Sequence, residues 1–150
     1  MIKEALAEIF ERDLLKLKEE ISLYKQEDNL WITEKQISNS AGNLALHLIG
    51  NLNHFIGATL GNTGYVRQRD KEFSDKNIPI QEILDAIDNT ANIVKQTLIH
   101  LPEEDFGKNF PLEKHGQTVK TDFMLLHLLA HLEYHLGQIN YHRRLITTED

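Results

Sequence analysis

The chain has 150 residues, of which 41% are hydrophobic and 26% charged, and its net charge is −7. That composition is ordinary for a folded globular chain and excludes a disordered or fibrous protein, while the acidic balance speaks against a nucleic-acid or anionic-membrane surface. With no cysteine in the sequence, disulfides, thiolate metal ligands and a cysteine nucleophile are excluded.

Apolar periodicity predicts helices throughout, and no stretch alternates at period two for long enough to form a sheet. The first helix is expected from Ile2 to Tyr24, with Ile2, Leu6, Ile9, Leu14, Leu17, Ile21 and Tyr24 on one stripe and a solvated charged face opposite. Asp28 to Ser38 reads as a connection in which Trp31 and Ile32 fold back onto the core. Ser38 or Ser40 is the expected N-cap of a second helix that runs to about Leu60, where Gly61-Asn62-Thr63-Gly64 stops it. A long link follows, and Pro79 opens a third helix with a seam of Ile80, Ile83, Leu84, Ile87, Ala91, Val94 and Leu98 that ends at Pro102. The segment from Pro102 to Lys120 is polar with Phe106, Phe110 and Leu112 as anchors, which predicts a packed loop containing a short hairpin. A fourth helix is expected from Thr121 or Asp122 to Ile146.

Four helices of about 20 residues, about 30 Å each, make one all-α four-helix bundle, a single domain over residues 1–150. The link from Gly61 to Ile78 exceeds the usual 2–8 residues of a bundle connection and is long enough to cross the bundle height. The second and third helices are then parallel neighbours, in an up-down-down-up order. No apolar run is long enough for a membrane span, and Met1-Ile2-Lys3-Glu4 leads into no signal-peptide core, so a cytoplasmic protein with no membrane partner is expected.

Histidine placement carries the functional reading. On a helical projection of the fourth helix, His127, His131, His135 and His142, with Gln138, fall between two apolar flanks. One flank is Leu125, Leu128, Leu132, Leu136 and Ile139, and the other is Phe123, Tyr134 and Tyr141, while Glu133, Asn140 and Arg144 take the solvent side. A lone helical histidine is ordinarily a hydrogen-bonded core residue. Several in one buried arc each need a partner or an ion. His131 and His135, four residues apart, can grip one ion between them. Leu132 stands where a zinc metalloprotease of the HExxH type carries its glutamate, which disfavours that class.

On the second helix His47, Asn51 and His54 share a face beside Leu44, Leu48, Leu52 and Phe55, and Gly50 and Gly57 adjoin it as a strip where another backbone could approach. His47 with His131 and His135 would form a three-histidine site suited to zinc, nickel or iron, with positions left open for water or substrate. Asn51, His54, His127 and Gln138 are candidates for orienting those ligands or contacting substrate. His142 reads as packing, and His100 and His115 carry no functional expectation. Arg67 and Arg69 beside Asp70 and Glu72 read first as a surface salt-bridge cluster. Asp70, Glu72 and Glu113, or His54 or His127, are the candidate proton acceptors for a hydrolase.

Three segments resemble the DinB-like superfamily of four-helix metalloenzymes. They are His47-Leu48-Ile49-Gly50-Asn51-Leu52, Gly64-Tyr65-Val66-Arg67-Gln68-Arg69-Asp70-Lys71-Glu72-Phe73 and His131-Leu132-Glu133-Tyr134-His135-Leu136-Gly137-Gln138-Ile139. The resemblance spans nearly the whole chain and is strongest to a branch without assigned activity. It implies an up-down-down-up bundle, often a homodimer, with a divalent metal held by His47, His131 and His135. It also implies either a hydrolase or a transferase that adds a low-molecular-weight thiol cosubstrate to a small-molecule electrophile. A non-catalytic, dimeric metal- or ligand-binding bundle is the alternative expectation. A nucleic-acid partner is not expected, because the chain is acidic and carries no basic stripe.

Overall fold

The computed structural model describes residues 2–146, and among them no β-strand forms. Helix α1 (Ile2–Ser22) buries Leu6, Leu14, Leu17 and Ile21 of the expected stripe and adds Phe10, while Ile9 is half-buried and Ile2 exposed. A short 3-10 turn (Glu27–Trp31) follows, and the Trp31 ring folds back onto Gly42, where any side chain would collide with it.

Ser40 caps the next helix, its Oγ accepting the Asn43 N–H at 3.2 Å. Helix α2 (Ala41–Leu52) continues through a π-helical turn (Asn53–Ala58) into a last turn (Thr59–Gly61), and left-handed Asn62 ends it. The π turn falls inside what periodicity reads as one uninterrupted helix. There Asn53 Nδ2 donates both to Ile49 O and to Thr90 Oγ1, each at 2.8 Å. The crossover is not bare loop either, since it carries a short helix, α3 (Arg69–Ser74), packed on α2. Helix α4 (Ile80–His100) follows Pro79 directly. The segment before α5 holds a 3-10 turn (Glu103–Gly107) and the expected small hairpin. Antiparallel bridges pair Asn109 with Lys120 and Lys114 with Gln117, turned by His115 and Gly116 at positive φ. Helix α5 (Thr121–Ile146) completes the described chain.

The four long helices pack in a ring: α1 against α4 and α5, and α2 against α4 and α5. Side-chain pairs fix their relative senses. Lys3 reaches Ile99 O, Glu11 pairs with Lys95 and Lys18 with Asp88, so numbers rise along α1 as they fall along α4. Arg12 meets Glu133, Glu20 meets Asn140 and Arg143, and Tyr24 meets His142, so α1 and α5 rise together. Asn53 opposite Thr90, Gly57 opposite Ile93 and Gly61 opposite Thr97 show that the second helical segment and α4 also rise together. Leu48, Leu52, Leu128 and Leu132 are fully or almost fully buried, each such side chain contributing about 1.5–3 kcal/mol of burial.

Two faces of α5 differ from the helical projection. Glu133 is exposed as assigned, although it reaches Arg12 on α1; Asn140 is half-buried and bonded to Glu20 of α1, and Phe123, Tyr134 and Tyr141 are more than half exposed. Cross-helix pairing makes a packed face look hydrophilic in sequence. No helix among the described residues is long and apolar enough to cross a membrane.

Candidate metal centre

The middle of α2 faces the middle of α5, which brings His47 against His131 and His135. His47 is buried and the other two are half-buried. His131 Nε2 lies 3.1 Å from His47 Nε2 and 3.2 Å from His135 Nε2. One nitrogen from each of the three rings falls within 4.8 Å of the others. Two nitrogens held roughly 2.0–2.1 Å from one tetrahedral ion are about 3.3 Å apart, which the two separations at His131 match.

The outer ring nitrogens settle which atoms face inward. His47 Nδ1 is 3.0 Å from Glu72 Oε1, and His135 Nδ1 is 2.7 Å from Gln138 Oε1. Glu72 and the Gln138 oxygen are acceptors and the closer partners, Arg67 Nη2 standing 3.4 Å from His47 Nδ1, so the Nδ1 atoms carry the proton and the Nε2 atoms of His47 and His135 present lone pairs to the centre. His131 Nδ1 is buried with no partner. Its Nε2 can offer at most one proton to two flanking lone pairs, which leaves one of them unanswered. Burial first, then the neighbouring His135 and His47, pushes the His131 pKa down to about 4, and burial also lowers that of His47. Three imidazole nitrogens that converge in this way fit a cation and cannot all satisfy one another by hydrogen bonds.

The support beneath His47 comes from the crossover. Arg67 holds Glu72 through Nε to Oε2 at 2.8 Å and Nη2 to Oε1 at 3.0 Å, an ion pair whose carboxylate is buried and whose guanidinium is half-buried. Gly50, one turn beyond His47, provides the seat: a methyl group there would overlap Glu72 Oε2. Asn43 Nδ2 donates to Glu72 O at 2.9 Å and to Asp75 O at 2.8 Å, tying the α3 backbone to the first turn of α2. Arg67 and Glu72 are therefore not the surface cluster their neighbours suggest. The glycine that marked a close approach admits a carboxylate rather than a helix backbone. That glycine is the sequence signal that could have located Glu72.

The other candidates divide. Gln138 orients His135, as described. Asn51 is buried with Oδ1 unpartnered and makes no hydrogen bond to the three imidazoles. His54 stacks edge-on against Phe55, and His127 lies toward Lys114 and His115; burial lowers both pKa values, and neither joins the cluster. His142 is a packing residue, bonded through Nδ1 to the Tyr24 hydroxyl at 2.6 Å and through Nε2 to Ile32 O at 2.8 Å. Arg69 lies over the Phe73 ring.

Two comparisons with known proteins bear on this chain. A family model described as a protein of unknown function, DUF1572, matches residues 5–150. No curated protein matches it.

Proposed function

The chain belongs to the DUF1572 family of unknown function, and from that premise we propose an activity built on the site itself. His47, His131 and His135 hold a divalent first-row metal, zinc, nickel or iron, in an enzyme that acts on a small-molecule electrophile. The observation that carries this reading is the meeting of three Nε2 atoms, two of them fixed as lone-pair donors by Glu72 and Gln138. A bound ion supplies Lewis acidity, bringing a coordinated water or thiol to a pKa of about 7 in the zinc case. The chain's own residues supply orientation: Glu72 and Gln138 set the ring planes, and Arg67 balances the Glu72 charge.

Glu72 is occupied by Arg67 and His47, so it is not a free proton acceptor. That favours transfer of a small thiol, which enters as a free cosubstrate because the chain has no cysteine, over hydrolysis. The same engagement of Glu72 supports the second reading, a non-catalytic metal-binding bundle. The fold we infer is a single DinB-like domain, a four-helix bundle in up-down-down-up order, supported by the four sets of helix pairings. We also infer a homodimer through the exposed stripe Phe123, Leu126, Ala130 and Tyr134 of α5. Sedimentation is expected to give a dimer that a Phe123→Glu, Tyr134→Glu double variant dissociates, and a wild-type monomer at micromolar concentration would sink that interface.

Elemental analysis of tag-free protein tests the metal centre. Near-stoichiometric metal is expected in the wild type and little in a His131→Ala, His135→Ala variant whose helicity is retained. Wild-type protein that stays metal-free after incubation with zinc, nickel and ferrous iron would refute it.

A further inference from the structure

We propose that the recess between residues 36–39 and the C-terminal half of α5 binds the body of an uncharged small molecule through a carbonyl-type acceptor. The recess has a volume of about 360 Å³, within the range of small-ligand sites. It shares a wall with the metal centre, because His135, whose Nε2 belongs to the imidazole cluster, lines it together with Gln138. As a role for the substrate, this rests on the metal-centre reading; as a binding site, it does not.

Three features define the ligand. Among the described residues no Asp, Glu, Lys or Arg lines the recess, although 26% of the chain is charged. By contrast, the groove between α1 and α5 is walled by Asp13, Lys16, Glu19, Glu20 and Glu133. A charged ligand in the recess would meet no counter-charge among these residues. Ile37, Leu44 and Leu145 offer apolar surface to a ligand body. Gln36, Ser38, Asn39 and Tyr141 add neutral polar groups, and Gln138 is the polar lining residue bonded to an imidazole of the metal centre. Its Oε1 is committed to the His135 Nδ1–H at 2.7 Å, and its amide N–H groups make no hydrogen bond to the described residues. What remains on Gln138 is a donor, so the matching group is an acceptor. His142 also lines the recess but has both ring nitrogens engaged elsewhere, so it offers contact only. A ligand held by the Gln138 amide is thereby linked through one side chain to the orientation of a metal-binding imidazole.

Benzamide, benzoate and benzylamine, one ring carrying a neutral acceptor, an anion and a cation, form the test set for the full-length protein. NMR is expected to show benzamide shifting the Gln138 side-chain amide and the Leu44 and Leu145 methyl groups. The two charged probes should bind at least tenfold more weakly. In cobalt-substituted protein, benzamide should also move the visible absorption of the metal, which a recess unconnected to the centre would not do. Ser38→Trp, at an exposed position in the lining, should abolish the benzamide shifts and leave metal content unchanged. Leu145→Asp, also exposed, is a second variant expected to weaken benzamide. Equal binding of the three probes, or shifts that avoid these residues, would overturn the proposal. Metal retained with no benzamide shifts overturns the recess alone. Benzamide shifts in a protein that holds no metal would leave the recess standing and overturn the metal centre.

Discussion

The tie between His47 and Glu72 is where a single atom decides the site. A carboxylate accepting from a histidine Nδ1–H fixes the tautomer and raises ligand basicity, and losing such a partner typically costs 10–100-fold in metal affinity. Glu72 can occupy its place only because position 50 has no Cβ. Alanine in mid-helix is ordinarily better than glycine by roughly 0.5–1 kcal/mol, so propensity alone would make Gly50→Ala stabilising. We expect the opposite, with the carboxylate expelled, Arg67 left facing a weakened partner and metal affinity reduced about 10–100-fold, as in Glu72→Ala. Gly57→Ala, where the added methyl would meet the Ile93 side chain at 3.1 Å, is the matched control and should keep wild-type affinity. Competition titration against a zinc chelator measures all three variants. Wild-type affinity in Gly50→Ala would show that Glu72 does not support His47.

At the scale of elements, what the sequence revealed depended on whether the signal was local. Helix ends are written beside themselves: Ser40 before α2, Pro79 before α4 and Pro102 after it, Thr121 at the start of α5. The i, i+4 pair His131 and His135 is local as well, and so is the stripe that put His47 among leucines. The faces of α5 were not readable in the same way. Glu133 and Asn140 find their partners, Arg12 and Glu20, about 120 positions earlier in the chain, and no window of periodicity contains both members. The freed side of α5 then carries Phe123 and Tyr134 outward. Helix α3 has six residues, fewer than two turns, so it shows no period of its own, and its buried Glu72 resembles any loop carboxylate. The π turn is invisible for another reason. It rests on Asn53 bridging Ile49 O and Thr90, a contact between two helices rather than a property of either.

For the whole molecule, the histidines make stability a function of pH. Burial is the leading cause of the lowered pKa values of His47, His54, His127 and His131, the last brought from the usual 6.5 to about 4. Folded, these rings stay neutral at pH values where the unfolded chain protonates them, so unfolding takes up protons and acid favours the unfolded state. Their effect is absent above about pH 6.5, grows as the pH falls toward about 4, and levels off once the folded rings also titrate. Glu133 works in the opposite direction, its carboxyl raised by contact with Asp13, but it is a single, half-exposed group against four. A metal adds a second dependence of the same sign, because protons compete for the three imidazoles. Chelator-treated protein should therefore show a melting temperature that drops between about pH 6.5 and pH 4.5, less steeply in His131→Leu. Added zinc should raise the melting temperature near pH 7 and lose that effect by about pH 5. Thermal unfolding across this range, with and without zinc, separates the two. A melting temperature flat in acid would deny the buried neutral histidines, and a zinc effect unchanged at low pH would place the ion on groups other than the imidazoles.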